Sequence, residues 1–205
     1  MPEYKLYYGK GKGYGELSRM LFALGELEFT DVRMEDGDEK TELINNSPYG
    51  ANPNFEIDGV MYGKNVAIAR YVAKKVDLYG KTDIDQLKTD AIVDYLYQDV
   101  MGKLIGIYLE KDEEKKANLT EEGKDFVKNT AVGKLEKQIE GENTFLASGL
   151  SWADVAVFNF FHDLYTPFFK EDAFEGSPIL KKHSEHVASL PLLKKHLETR
   201  AVTEF

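Results

Sequence analysis

Residues 47–75 carry four structural signals in a fixed order, and that order limits the folds open to the chain. Pro53 interrupts the approach to a strand. It has no amide proton, so it belongs at a strand's start or edge. Asn54–Ile57 alternates polar and apolar residues, as a half-buried strand does. Asp58 and Gly59 then form a two-residue hairpin signal, because both residue types accept positive φ. From Asn65 onward, Val66, Ile68, Ala69, Val72 and Ala73 recur on one helical face.

The flanking sequence extends this pattern. Residues 4–8 read as a first strand, followed by a flexible loop with Gly9, Gly11, Gly13 and Gly15 among Lys10 and Lys12. Leu17, Met20, Leu21 and Leu24 have helical spacing, and Gly25 supplies a stop. Residues 28–34 alternate as a second strand, and residues 35–42 read as an exposed acidic loop. A β-α-β unit requires a parallel pair and the hairpin an antiparallel one, so the expected sheet is mixed and four-stranded. Residues 79–82 read as a linker between an α/β domain over 1–78 and an all-α helical domain over 83–205. Within the latter, residues 83–108 form one long helix presenting Leu87, Ala91, Ile92, Leu96, Val100 and Leu104. A charged break follows at 111–116, then a second long helix over 120–139. Ser151 and Asp154 have the spacing of a capping box ahead of an almost wholly apolar helix. Pro178 and Pro191 mark two further helix starts.

Composition removes several classes of function. The 205 residues contain no cysteine, which excludes disulfides, a cysteine nucleophile, thiolate metal sites and CxxC redox chemistry. Net charge is −10 and the pI about 5.0. Neither half has the basic excess that nucleic acid or an anionic membrane demands. The first residues lack the apolar core of a signal peptide, and no apolar run reaches membrane-spanning length, so a cytosolic location is expected. His183 and His186 stand three apart on a helix, and a solvated face is expected there rather than a metal site.

Several segments together carry a resemblance to a known family. They are YKLYY at 4–8, RMLFA at 19–23, Pro48-Tyr49-Gly50, Pro53, Ile57-Asp58-Gly59, AIARY at 67–71, Val93-Asp94, LSWAD at 150–154 and the tail from Glu198. In order and spacing the chain resembles the cytosolic glutathione transferases of sigma-like class. These include nematode glutathione transferases, glutathione-dependent prostaglandin D synthase and S-crystallins. The resemblance implies an N-terminal thioredoxin-like domain and a C-terminal helical bundle. It further implies a homodimer that uses glutathione as co-substrate, a small-molecule electrophile as partner, and no metal.

In that family a tyrosine at the end of the first strand stabilises the glutathione thiolate. The matching residue is Tyr8. Tyr7 is adjacent, and strand neighbours point to opposite faces, so only one can serve. The residue before the family's cis-proline lends backbone groups to glutathione, which implies Asn52 and Pro53, with Ala51 two before the proline. At the third helix the family places Gln-Ser, where this chain has Lys64-Asn65. Asn65 is a suitable N-cap, and Lys64 is either a partner for a ligand carboxylate or a solvated charge. Glu39 and Lys40 fall near the family's aromatic-lysine pair. Gln98 and Asp99 fall where an acid usually reaches the partner subunit. Gly9, Gly13, Tyr14, Leu104, Ile105, Tyr108 and Phe205 are the implied contacts for the hydrophobic substrate; each is equally readable as core or interface.

Two functional readings follow. In the first, the chain is a glutathione transferase that conjugates the thiolate, stabilised by Tyr8, to hydrophobic electrophiles. In the second, it is a catalytically weak or inactive protein on the same scaffold, a crystallin-like protein or a hydrophobic-ligand binder. The substitutions at Ala51, Lys64 and Gln98 favour the second; Tyr8 and Pro53 favour the first.

Overall fold

The computed structural model describes residues 2–203, which fall into two compact units. One unit runs to Tyr79 and takes in the described residues from Ser189 onward; the other is Gly80–Ala188. The first contains β1 (Tyr4–Gly9), α1 (Glu16–Leu24), β2 (Thr30–Met34), α2 (Asp38–Asn46), β3 (Asn54–Ile57), β4 (Val60–Gly63) and α3 (Asn65–Lys75). The sheet order is β2-β1-β3-β4. β1 pairs parallel with β2, while β3 pairs antiparallel with both β1 and β4. This is the mixed sheet that the residue pattern requires.

Alternation along β1 decides what each face does. Tyr4 and Leu6 are buried, and with Phe55 of β3 they form the sheet's inner face. The Tyr4 and Phe55 rings stack at 5.6 Å, and Phe22 of α1 and Tyr71 of α3 close over them at 5.8 Å each from Phe55. Burial of each large apolar side chain contributes about 1.5–3 kcal/mol. This shared aromatic layer fixes α1 and α3 on one side of the sheet. Asp58 and Gly59 both adopt positive φ, at 49° and 84°, and close the β3–β4 hairpin.

Residues 35–42 depart from the sequence reading. From Asp38 the acidic stretch is helical, as α2, with no fully buried residue. It lacks the apolar periodicity that signals a helix. Asp38 and Glu39 instead sit in its first turn, where negative charge complements the exposed amides.

The second unit comprises α4 (Asp83–Asp94), α5 (Met101–Leu109), α6 (Glu113–Phe126), α7 (Val132–Glu136), α8 (Trp152–Asn159), α9 (Thr166–Phe169) and α10 (Pro178–Ser189). The chain returns to the first unit with α11 (Pro191–Thr199), which packs on α1. By contacts, therefore, the end of the expected 83–205 helical domain groups with the sheet. Both prolines begin their helices. A wide turn at Tyr95–Val100 links α4 to α5, and another at Val127–Ala131 links α6 to α7. The first explains a shifted stripe. Ile92, Leu96, Val100 and Leu104 are buried, whereas Leu87 and Ala91 are exposed. Steps of four residues drift by about 40° each on a regular helix, and the wide turn absorbs that drift. The second long helix starts at Glu113, inside the expected charged break, because Asp112 caps it by accepting the Lys115 amide at 3.0 Å.

All eight residues of α8 are buried, so its start has to satisfy polar groups without water. Asp154 and Ser151 do this as a reciprocal capping box, with Asp154 as the main acceptor. Asp154 accepts the amides of Ser151 (2.7 Å) and Phe145 (2.8 Å), the Ser151 hydroxyl (2.7 Å) and His183 Nε2 (3.1 Å). His183 is thus fully buried on α10, and its expected solvated face is corrected by this bond. Asp154→Ala is expected to strand these donors and to lower unfolding free energy by about 3–5 kcal/mol, measured by urea denaturation.

Candidate functional site

Tyr8 lies near the C-terminal end of β1, on the same face as Tyr4 and Leu6. Its neighbour Tyr7 points the other way and donates to Glu56 Oε2 at 2.9 Å. Burial, and then that bond to Glu56, push the Tyr7 phenol above its ordinary pKa. Tyr7 is therefore committed to the sheet's outer face, and Tyr8 is the tyrosine left facing the glycine loop.

That loop is ordered against Tyr8. Gly13–Gly15 forms a short helical turn, and the Tyr14 amide donates to the Tyr8 hydroxyl at 3.1 Å. Gly13 has φ +36°, and a Cβ there would strike the Tyr8 hydroxyl. A Cβ at Gly15 would lie 2.8 Å from ring atom Cδ1. The glycines are thus steric requirements of Tyr8's position. A phenol that accepts a backbone N–H keeps its own proton to donate elsewhere. Tyr8, Gly9, Gly13, Lys40 and Asn52 line one cleft of about 790 Å³ within the first unit, together with Lys10, Glu35, Asp36 and others.

The other expected residues divide. Lys40 reaches the cleft beside Gly9, but its ammonium is paired with Asp36 at 2.6 Å. Glu39 is exposed on α2 and is not among the cleft's lining residues. Pro53 is buried, and the Asn52–Pro53 bond is cis. The Asn52 side chain accepts from Asn54 Nδ2 at 3.0 Å, and Ala51 offers its carbonyl to Ser47 Oγ at 3.5 Å. The N-cap of α3 is Lys64, with φ 76°, and no side chain caps the helix; Asn65 is its first helical residue. The expected Asn65 cap is corrected accordingly. Lys64 is exposed, with its ammonium 5.3 Å from the centre of the Tyr49 ring.

In the second unit, Gln98 and Asp99 are exposed on the wide turn. Ile105 and Tyr108 are exposed on α5. Leu104 is buried against Gly123 of α6, so it is a packing residue of that unit and not an open contact surface. Phe205 lies outside the described residues. Among the described residues no group of three or more potential ligands could hold a metal, and no helix is long and apolar enough to cross a membrane.

Sequence reasoning assigned no role to a charge cluster behind the loop. Arg19 of α1 is buried and donates to Asp31 Oδ1 (3.0 Å), the Gly11 carbonyl (3.0 Å), Glu16 Oε2 (3.3 Å) and the Gly9 carbonyl (3.5 Å). Glu16 has no exposed surface, and its Oε1 accepts from His196 Nε2 (2.8 Å) of α11 and from Arg200 (2.9 Å). Burial alone would raise the Glu16 pKa. Hydrogen bonds from His196 and Arg200, with the charges of His196 and Arg19, reverse that effect and lower it to about 2. The only sequence signal was polar residues at positions an apolar helical face should cover.

The chain is similar to known proteins along its whole length. A family profile for the "Glutathione S-transferase, C-terminal domain" matches residues 98–200. The chain is 34% identical over 206 residues to Glutathione S-transferase 2 of Manduca sexta, covering all of both chains. It is 29% identical over 207 residues to human Hematopoietic prostaglandin D synthase, again covering all of both. The crystal structure of the glutathione S-transferase from Ascaris lumbricoides superposes with a TM-score of 0.86 at 28% identity, covering 99% of this chain and 100% of that one.

The Glu16 cluster has a measurable signature. A carboxyl whose pKa falls on folding from 4.5 to about 2 adds stability that is complete above the higher value and disappears as pH falls through the lower. Between pH 4.5 and 2 the protein is expected to lose on the order of 3 kcal/mol through this group. Glu16→Gln is expected to flatten that part of the stability–pH curve, followed by urea unfolding across the range.

Proposed function

Because the chain belongs to the glutathione S-transferase family, we propose that it binds glutathione in the Tyr8 cleft and conjugates it to hydrophobic electrophiles. The observation that carries this reading is the Tyr8 hydroxyl. It accepts the Tyr14 amide and lines an open cleft, so its own O–H is available to a ligand there. A glutathione sulfur placed against that O–H gains a hydrogen bond as thiolate that it lacks as thiol. Its proton is therefore lost more easily, and the sulfur is nucleophilic near neutral pH. The thiolate then attacks an electrophilic carbon: a C–S bond forms, and a leaving group departs with the displaced electron pair.

The rest of the tripeptide is assigned by the resemblance and by chemistry. The Asn52 backbone, next to cis-Pro53, is suited to the cysteinyl amide, with Ala51 beside it. The first amides of α3 at Lys64 and Asn65 suit the γ-glutamyl carboxylate, because a helix start offers unpaired N–H groups to an anion. Lys40 suits the glycyl carboxylate, once its ammonium is shared with or released from Asp36. Gly9, Gly13 and Tyr14 border the thiolate on the electrophile's side. The protein acts, on this reading, as a cytosolic homodimer without a metal.

Calorimetric titration with reduced glutathione tests the first half of the proposal. Binding near one per subunit, at micromolar to low millimolar affinity, is expected; no heat at several millimolar would remove the enzyme assignment. Tyr8→Phe tests the second half. Loss of one hydrogen bond to a charged sulfur is expected to lower kcat/KM with a chlorodinitrobenzene by about 10- to 100-fold. Glutathione affinity should change little, and unchanged turnover would sink the role of Tyr8.

A further inference from the structure

We propose that Arg19 is a positioning residue for Tyr8, acting through the glycine loop; the inference rests on Tyr8 being the donor to the thiolate. Three observations carry it. The first is what the guanidinium holds. Arg19 is 1% exposed and donates to the carbonyls of Gly9 and Gly11, at the start and middle of the loop, while its Nε holds Asp31 on β2. The second is its place beside the tyrosine. The guanidinium carbon lies 5.8 Å from the centre of the Tyr8 ring. Arg19 therefore stands behind the ring and touches the segment on which Tyr8's hydroxyl bond depends.

The third observation is what the loop lacks. Four of the seven residues 9–15 are glycine, and glycine has more backbone freedom to lose on ordering than any other residue. The Tyr14 amide meets the Tyr8 hydroxyl only while that freedom is suppressed. A planar fork with five N–H groups can hold Gly9, Gly11 and Asp31 at once; a lysine ammonium is a point charge and cannot.

The competing explanation is that Arg19 merely neutralises buried Glu16. The distances argue against it. Glu16 is already bonded by His196 at 2.8 Å and Arg200 at 2.9 Å, and its contact with Arg19 is longer, at 3.3 Å. Arg19's shortest bonds go instead to the Gly11 carbonyl of the loop and to Asp31 of β2, at 3.0 Å each, with the Gly9 carbonyl a longer contact at 3.5 Å. Glu16, held from α11 on one side, orients Arg19 on the other.

A double-mutant cycle with Arg19→Lys and Tyr8→Phe tests the inference, using conjugation kinetics, glutathione affinity and the ultraviolet absorbance of the bound thiolate against pH. With Tyr8 present, Arg19→Lys is expected to lower kcat about tenfold. It should also move thiol ionisation toward alkaline pH, with glutathione affinity within about twofold. In the Tyr8→Phe background the same change is expected to do nothing further. Equal losses in both backgrounds, or no loss with Tyr8 present, would overturn the proposal. Should Tyr8→Phe alone leave turnover intact, the donor assignment fails instead, which is a separate result. If Arg19→Lys does not fold, Asp31→Ala removes the Nε anchor and keeps the guanidinium. A smaller loss confined to the Tyr8 background supports the inference, and a loss indifferent to Tyr8 refutes it.

Discussion

The carboxylate of Glu16 is the interaction on which the first unit depends. Removing a charge from water costs several kcal/mol unless partners replace the lost hydration, and Glu16 has no exposed surface at all. Its partners come from three places in the chain: Arg19 one turn along α1, His196 on α11 and Arg200 just beyond α11. The last two lie some 180 residues downstream. The ion cluster of the sheet unit is therefore closed only by a segment that follows the helical unit in sequence. That is why α11 groups with the sheet and not with the helices before it in sequence. The same carboxylate stands where the glycine loop enters α1, with the Glu16 amide donating to the Lys12 carbonyl at 3.0 Å. Loop, first helix and C-terminal segment thus meet at one ion.

The cleft in front of the loop is electrostatically quiet by comparison. Lys10 pairs with Glu35 and Lys40 with Asp36, each at 2.6 Å, so two ammonium groups and two carboxylates balance along its edge. Exposed pairs of this kind contribute little and are screened by salt. An anionic ligand gains from Lys40 only the difference between its own carboxylate and that of Asp36. The donor of fixed geometry in this cleft is the Tyr8 hydroxyl, held by the Tyr14 amide. Attraction by net charge contributes little.

What could be read from residue order alone was local and periodic. Alternation gave β2 and β3, paired positive-φ residues gave the hairpin, and Ser151 with Asp154 gave the start of α8. Each of these signals is complete within a few residues. The features that escaped depend on contacts distant in sequence or on phase. α2 has no apolar face, and only its acidic first turn marks it. The buried stripe of α4 and α5 follows four-residue steps that make sense only with a wide turn at Tyr95–Val100. Lys64 at positive φ carries no side-chain signature of a cap. His183 reads as a surface histidine until Asp154, 29 residues away, is seen to need a fourth donor. In the site, Tyr8 could be picked out by resemblance but not separated from Tyr7 by composition; the bond from Tyr7 to Glu56 makes the separation.

The glycine loop shows why the residues that matter most here were the hardest to weigh. Gly9, Gly11, Gly13 and Gly15 look like a tether, and in isolation such a segment would be one. In the folded unit Gly13 and Gly15 are pressed against the Tyr8 ring where any Cβ would collide, and the carbonyls of Gly9 and Gly11 are held by a buried guanidinium. Conformational freedom is what lets the backbone come so close, and it is also what has to be suppressed for Tyr8 to keep a defined position. The loop cannot supply that restraint, because its glycines have no side chains with which to anchor it. The restraint has to come from behind. The only fully buried cation of the first unit among the described residues, Arg19, stands where it can supply it.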